Sequence, residues 1–230
     1  MKTAREWVRD ALGYDCSDTE LLEEALTHRS AGGSHNERLE FLGDAVLNCV
    51  VAKLVFDAFT DADEGDLSRF RASLVSGEAL AVIAAEIDLG NQLRLGSGEL
   101  KSGGFRRKSI LADALEALFG AVYLHGGFEA AAQVVEHLFI PRLDRLPSAA
   151  ELKDPKTRLQ EALQARGLPL PSYAVESISG EAHNQLFQVR CAVNSLGLKV
   201  SASGASRRRA EQAAAQLLLN ALKETQQGIS

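Results

Sequence analysis

Cysteine is scarce in this chain: three in 230 residues, Cys16, Cys49 and Cys191, an odd number with no CxxC spacing. A disulfide framework and a cysteine zinc site are therefore excluded, and core packing is the expected role of all three. Long apolar runs are missing as well. No stretch reaches membrane-spanning length, and Arg5, Glu6, Arg9 and Asp10 break up what a signal peptide would need as an apolar core. A soluble, cytoplasmic chain with no membrane partner is the expectation. There is no internal repeat and no low-complexity tract. The glycine-rich stretch "LGSGELKSGGFRRK" lacks GxxxxGK[ST], and Lys101 stands where GxGxxG needs glycine. None of the histidines sits in a Glu-x-x-His pair, which argues against a ferritin-like di-iron bundle. No local signature suggests a Ser–His–Asp or Cys–His nucleophile.

What is present is a 46% apolar chain, long enough for two modest domains or one large one. Net charge is −6, but it is unevenly spread. Residues 1–153 carry 16 Lys+Arg against 25 Asp+Glu, whereas residues 154–230 carry 9 against 6. An acidic body with a mildly basic appendage follows.

The acidic body reads as successive helices. Ser17 and Glu20 form a capping box ahead of Leu21 and Leu22. The 37–59 segment is helical by spacing, and Leu67, Phe70, Leu74 and Val75 continue the pattern. Gly77 interrupts it, with Ser76 capping a further helix through Ile87. "SILADALEALFGAVYL" and "EAAAQVVEHLFIPRL" close this half. "LPSAAELKDP" has linker composition. The periodicity then changes: "PKTRLQEALQARG" is helical, "YAVESIS" extended, and "LFQVRCAV" alternates Phe187, Val189, Cys191 and Val193 inward. "GLKVSASG" alternates again, and "SRRRAEQAAAQLLLNAL" is helical. The fold class expected is an all-α domain over 1–147, a linker over 148–154, and a small α+β domain over 155–225 in the order α-β-β-β-α.

The segment "HNERLEFLGDAVL" places three carboxylates at the edge of a core. Glu37, Glu40 and Asp44 stand at i, i+3 and i+7, within about 60° of one another on a helix. They flank the apolar stripe of Leu39, Leu42 and Val46. In "ILADALEALFGA", Asp113 and Glu116 repeat the pattern at i, i+3, and Gly120 continues that stripe as Asn48 does beyond Asp44. If the two helices pack together, four or five carboxylates converge. Two such charges about 4 Å apart repel by roughly 4 kcal/mol at an effective dielectric near 20, so protonation or a cation must relieve them. Oxygen ligands select a hard cation such as Mg²⁺ or Mn²⁺. The alternative is a set of solvated surface carboxylates, or ion pairs with Arg38, Arg69 or Arg71.

Several stretches together resemble the bacterial ribonuclease III family. "ALTHRS…NERLEFLGDAVL" resembles its signature, and "EGDLSRFRASLVS", "LGSGELKSGGFRRKSILADALEALFGAVYL" and "DPKTRLQEALQ" follow in the family's order, so the similarity covers roughly residues 25–222. The resemblance implies a helical endonuclease domain that forms a homodimer, and a C-terminal double-stranded-RNA-binding domain. It implies Mg²⁺-dependent hydrolysis of double-stranded RNA, with Mn²⁺ substituting, leaving 5′-phosphate and 3′-hydroxyl ends. Ribosomal RNA precursors and other structured transcripts, messenger and transfer RNA among them, are the implied substrates. By matching position, Glu40, Asp113 and Glu116 are the metal ligands, Glu116 and Asp44 act in catalysis, with Asp44 positioning water, and Glu37 and Glu64 are supporting acidic residues. His125, in "YLHGG", departs from the acidic residue many members carry there, with an effect expected on local capping only. A catalytically silent RNA-binding regulator is the other class, but a decayed site would have lost a carboxylate and none is missing.

The appendage supplies the RNA-binding expectation. Arg207, Arg208 and Arg209 open a helix, where positive charge opposes the macrodipole unless an anion docks there. "SRRRAEQ" resembles the phosphate-gripping motif of double-stranded-RNA-binding domains. "GEAHNQLF" resembles their minor-groove loop, with His183 at the contacting position, and Gln160 and Glu161 match the other minor-groove region. Such domains read A-form shape and 2′-hydroxyls more than sequence.

Overall fold

The computed structural model describes residues 2–181 and 184–227, the last five as backbone alone. Contacts divide the chain into two compact units, 1–149 and 150–230.

The first unit is helical. α1 (Ala4–Leu12) starts on a Thr3–Glu6 capping box and stops at Gly13, whose φ of 68° is left-handed. α2 (Thr19–Ala25) starts on Asp18, whose carboxylate accepts the Leu21 N–H at 2.9 Å. The expected Ser17–Glu20 box does not form. Ser17 is engaged elsewhere: its N–H and hydroxyl lie 3.3 and 2.9 Å from His125 Nε2. α3 (Glu37–Ala58), α4 (Glu64–Leu74) and α5 (Gly77–Glu86) follow, with Asp63 capping α4 and Ser76 capping α5 as its sequence suggests. The glycine-rich stretch holds the short α6 (Ser97–Lys101) and a 3₁₀ turn at Gly104–Arg106. α7 (Lys108–Leu143) is one long element broken at Gly127, where φ is 77°. Just before the break, His125 Nδ1 meets Tyr14 Oη at 2.6 Å. His125 thus ties the segment between α1 and α2 to α7, which is more than a change of cap.

α3 and α7 pack against each other more extensively than any other pair of elements. α7 is buried almost all round from Ile110 to Val122, as befits a central helix. α3 contributes Leu39, Val46, Leu47, Val50, Val51 and Val55, and α5 covers α7 with Leu80, Ile83 and Ala84. Leu42, grouped with Leu39 and Val46 by spacing, is only half-buried. Two glycines set the crossing. A Cβ on Gly43 would fall on the Glu116 carbonyl, and one on Gly120 on the Leu39 carbonyl. The two backbones therefore touch with no side chain between them. Cys16 is buried, but Cys49 is exposed, contrary to the core role expected, because it faces away from the stripe of Leu47, Val50 and Val51.

The second unit is an α-β-β-β-α arrangement. The segment read as linker contains a single helical turn, α8 (Ala149–Leu152). α9 (Pro155–Gln164) opens with Asp154 as cap and proline at its first turn, where no N–H is needed. β1 (Ser172–Ser179), β2 (Leu186–Val193) and β3 (Leu198–Gly204) form an antiparallel sheet in that order, with an irregularity between Val175 and Ser177. α10 (Arg207–Gln227) packs across β2 and β3. Cys191 and Val193 meet Leu159 and Leu163 of α9 and Ala214, Ala215, Leu218 and Leu219 of α10. Val189 is buried as the alternation requires, while Phe187 at the strand's start is half-buried.

Candidate active site

The glycine crossing decides where the acidic side chains go. With backbone against backbone at Gly43 and Gly120, Glu40 on α3 and Asp113 and Glu116 on α7 face one point. One oxygen from each lies within 4.8 Å of the others. All three are half-buried, so the charges are both close and poorly hydrated. Burial, then Asp44, Glu40 and Asp113, push the Glu116 carboxyl up to about 8. Burial, then Asp113, Glu37 and Asp44, raise Glu40, with Arg29 partly offsetting them. Burial likewise raises Asp113, against the pull of His28 and Arg29. Carboxyls raised by one another form a site that favours a cation. Three carboxylates, ionised once a cation is bound, suit a hard divalent ion.

Asp44 stands outside this trio of oxygens but close enough to act on Glu116. It is solvent-exposed and oriented by Asn48, whose Nδ2 donates to Asp44 Oδ1 at 2.8 Å and to its backbone carbonyl at 2.9 Å. Glu37 is held by Arg29, 3.1 Å from its Oε1. That cation is neither Arg38, Arg69 nor Arg71, and Arg69 pairs instead with Asp66. Glu64 is exposed at the first position of α4 and does not line the cleft of Glu37, Glu40 and Asp113. That cleft has a volume of about 520 Å³ and is also lined by His28, Arg29 and Arg107.

In the second unit, Gln160 and Glu161 are exposed on α9, and Glu161 accepts from Lys153 at 2.9 Å. Arg207, Arg208 and Arg209 are exposed at the start of α10, but they are not equivalent. Arg207 is paired with Glu211 at 2.8 Å, whereas Arg208 and Arg209 have no ion pair among the described residues. His183 lies outside the described residues.

Sequence reasoning missed Phe41. Its side chain is 81% exposed, beside a groove lined by Leu21, Leu39, Leu42 and Leu124. The signal was available: on a helical wheel Phe41 falls roughly opposite the Leu39–Val46 stripe, so it cannot share their core. His28 and Arg29 were also missed, because their cleft is assembled from segments far apart in sequence.

Comparison with known proteins adds independent findings. A family model described as "Ribonuclease-III-like" matches residues 18–143, and one described as "Double-stranded RNA binding motif" matches residues 155–222. Ribonuclease 3 of Ralstonia nicotianae is 56% identical over 93% of this chain and 84% of its own length. Ribonuclease 3 of Alkalilimnicola ehrlichii is 53% identical over 97% of this chain and 98% of its own. Among solved structures, the nuclease domain of ribonuclease III from Campylobacter jejuni is 43% identical, with a TM-score of 0.58, over 60% of this chain and 98% of that one. That structure is described as showing flexibility in a region involved in dimer formation.

Proposed function

The chain belongs to the ribonuclease III family, and from that premise we propose that its carboxylate cleft hydrolyses phosphodiester bonds of double-stranded RNA with Mg²⁺, leaving 5′-phosphate and 3′-hydroxyl ends. The observation that carries this is the convergence of Glu40, Asp113 and Glu116, whose oxygens gather within 4.8 Å of one another.

Glu40, Asp113 and Glu116 would hold the ion, and Mn²⁺ would fit the same oxygen donors. An Mg²⁺ ion held there would supply a lowered pKa for water and a positive charge against the one developing on the phosphate. The chain's own groups do the rest. Asp44, steadied by Asn48, keeps one carboxylate oxygen free to orient the attacking water and accept its proton. Glu37 anchors Arg29 at the rim, where the guanidinium limits repulsion between the cleft and the phosphates. Glu64 we keep as a supporting acidic residue on α4.

We assign residues 1–147 to catalysis, 148–154 to a linker and 155–225 to duplex binding. In the latter, Gln160, Glu161 and His183 face the minor groove and Arg207–Arg209 the phosphates. Because Arg207 is already engaged by Glu211, Arg208 and Arg209 carry most of the phosphate contact. The strongly exposed Phe41, beside a groove that includes Leu21, Leu39, Leu42 and Leu124, supports a homodimer through the nuclease domain, since a large aromatic held in water favours burial against a second copy. Ribosomal RNA precursors and other structured transcripts are the proposed substrates in the cytoplasm. Among the described residues no helix is long and apolar enough to cross a membrane.

The test is to incubate a perfect RNA duplex with the protein, with and without Mg²⁺, and to analyse the ends. Short duplex products bearing 5′-phosphates only when Mg²⁺ is present are expected. An uncut duplex, or 2′,3′-cyclic ends, overturns the proposal.

A further inference from the structure

His28 is more tightly specified than a loop histidine needs to be. Its segment is strapped to a distant one: the His28 N–H donates to the Arg94 carbonyl at 3.0 Å, and the Arg94 N–H to the Leu26 carbonyl at 2.8 Å. A second strap follows, in which the Gly96 N–H donates to Ser30 Oγ at 2.9 Å. Ser30 in turn faces the imidazole. Its Oγ lies 2.8 Å from His28 Nδ1, and its N–H donates to the same nitrogen at 3.2 Å. The hydroxyl accepts from Gly96 on a lone pair, which leaves its own hydrogen for Nδ1.

Nδ1 is therefore an acceptor twice over and carries no proton of its own. The neutral ring must hold its hydrogen on Nε2. That nitrogen has no hydrogen-bond partner among the described residues, and the imidazole lines the cleft that contains Glu40 and Asp113. A nitrogen bearing hydrogen cannot ligate a metal, so His28 is not a further ligand. Nor does it form an ion pair with a carboxylate, as Arg29 does with Glu37 and Arg107 with Glu99. What remains is an N–H donor, fixed in direction by Ser30, at the edge of a strongly acidic cleft. Such a donor can hold an anionic oxygen in a set direction, which a freely rotating lysine in its place would not do.

We propose that His28 is a substrate-contacting residue: its Nε2–H donates to a non-bridging phosphate oxygen of the RNA strand lying in the cleft. The inference rests on the reading of this cleft as the site of RNA cleavage. The relay Gly96–Ser30–His28 fixes the donor before substrate arrives, so little reorganisation accompanies binding. Gly96 cannot be replaced without moving the relay, because a Cβ there would run into the Ser30 carbonyl.

Two substitutions separate this role from simple capping of the 29–31 turn. Asparagine places an acceptor where Nδ1 stands but does not reach the position of Nε2. Glutamine reaches Nε2 with an N–H but gives up the acceptor at Nδ1. Single-turnover cleavage of an RNA duplex in Mg²⁺, over a range of protein concentrations, is measured beside thermal melting for His28→Asn, His28→Gln and the unaltered protein. The expected result is an unchanged melting temperature and about ten- to a hundredfold slower cleavage for His28→Asn, the worth of one hydrogen bond to a charged oxygen. His28→Gln should melt lower yet cut several-fold faster than His28→Asn. If His28→Asn cuts as fast as the unaltered protein, or if cleavage simply follows melting temperature across the series, this inference is overturned while the reading of the cleft stands. If the unaltered protein leaves the duplex intact, the reading of the cleft falls and this inference with it.

Discussion

Two glutamates, one in each unit, show how differently this chain uses a shielded negative charge. Glu211, near the start of α10, is only 8% exposed and receives Lys156 at 2.6 Å and Arg207 at 2.8 Å. Those hydrogen bonds, Lys156 first, hold its carboxyl below the ordinary range. Glu116, on α7, is half-buried among Asp44, Glu40 and Asp113, and burial followed by those neighbours pushes it up to about 8. Glu211 carries its cations within the fold and serves the fold. Among the described residues Glu116 has none, so its counter-charge must come from solution. A carboxylate that folding leaves uncompensated is the mark of a site.

The largest effect should come from making the two glutamates alike. Glu116→Gln removes the charge while keeping the shape. If the contrast is functional, single-turnover cleavage should fall about a thousandfold or more, since losing roughly 4 kcal/mol of transition-state stabilisation already costs that much. Gel-shift affinity for the duplex should persist. Cleavage near the normal rate would reduce the acidic cluster to surface decoration.

Next is the response to metal. An ion that binds only the folded cluster stabilises the protein by about 2.7 kcal/mol at 100 times its dissociation constant. Trp7 is the chain's lone tryptophan, buried in the first unit with its Nε1–H donating to the Ile87 carbonyl at 3.0 Å. Its fluorescence therefore follows that unit alone. Melting monitored at Trp7 should rise in saturating Mg²⁺, and Glu40→Ala with Asp113→Ala should abolish most of the rise. A melting curve indifferent to magnesium would break the comparison.

The pH responses should have opposite signs. Below about 4.5 Glu116 is protonated in both folded and unfolded chains, and it contributes nothing. Between 4.5 and about 8 the unfolded carboxyl is ionised while the folded one keeps its proton, so the metal-free first unit loses stability as pH rises. Glu211, whose folded carboxyl is depressed, contributes fully above 4.5, and that contribution is lost as pH falls through its lower folded value. Metal-free protein taken from pH 8 to pH 5 should thus melt higher at Trp7, with the protection factors of β2 amides, each taken against the intrinsic exchange rate at that pH, unaltered. The slope at Trp7 should flatten when Mg²⁺ is added.

The smallest effect should come from Glu211→Ala. It frees two partly exposed cations, and the second unit should lose about 1–2 kcal/mol. Protection of β2 amides from exchange should report this, while melting at Trp7 stays unchanged. A larger loss at Trp7 than in β2 would contradict the separation of roles.

Much of this contrast could be read before any coordinates. The i, i+3 spacing on two apolar helices announced Glu40, Asp113 and Glu116, because helical period alone decides which side chains share a face. Strand alternation likewise announced Val189, Cys191 and Val193. What stayed hidden depended on partners distant in sequence. Ser17 and Asp18 are adjacent and equally able to cap α2; the choice falls to Asp18 because His125, 108 positions along the chain from Ser17, occupies the serine. Arg29 as the partner of Glu37, and His28 at the rim, depend on a turn strapped to residues 94–96. Gly43 gave no local sign, since its role exists only against α7. Cys49 was misjudged because residue type was weighed without its place on the wheel.

The meeting of Gly43 with α7 and of Gly120 with α3 also governs precision. Most helix pairs are spaced by side chains, which are springs: they change rotamer, compress and can be traded for others. Here the spacer is main chain on both sides, and it acts as a mechanical stop. The gap between Glu40 and the Asp113–Glu116 pair is therefore set by bond lengths and van der Waals radii rather than by packing. Substitutions elsewhere in the core can loosen the unit without resizing that gap, whereas one added methyl at either glycine would act as a shim and change its bore.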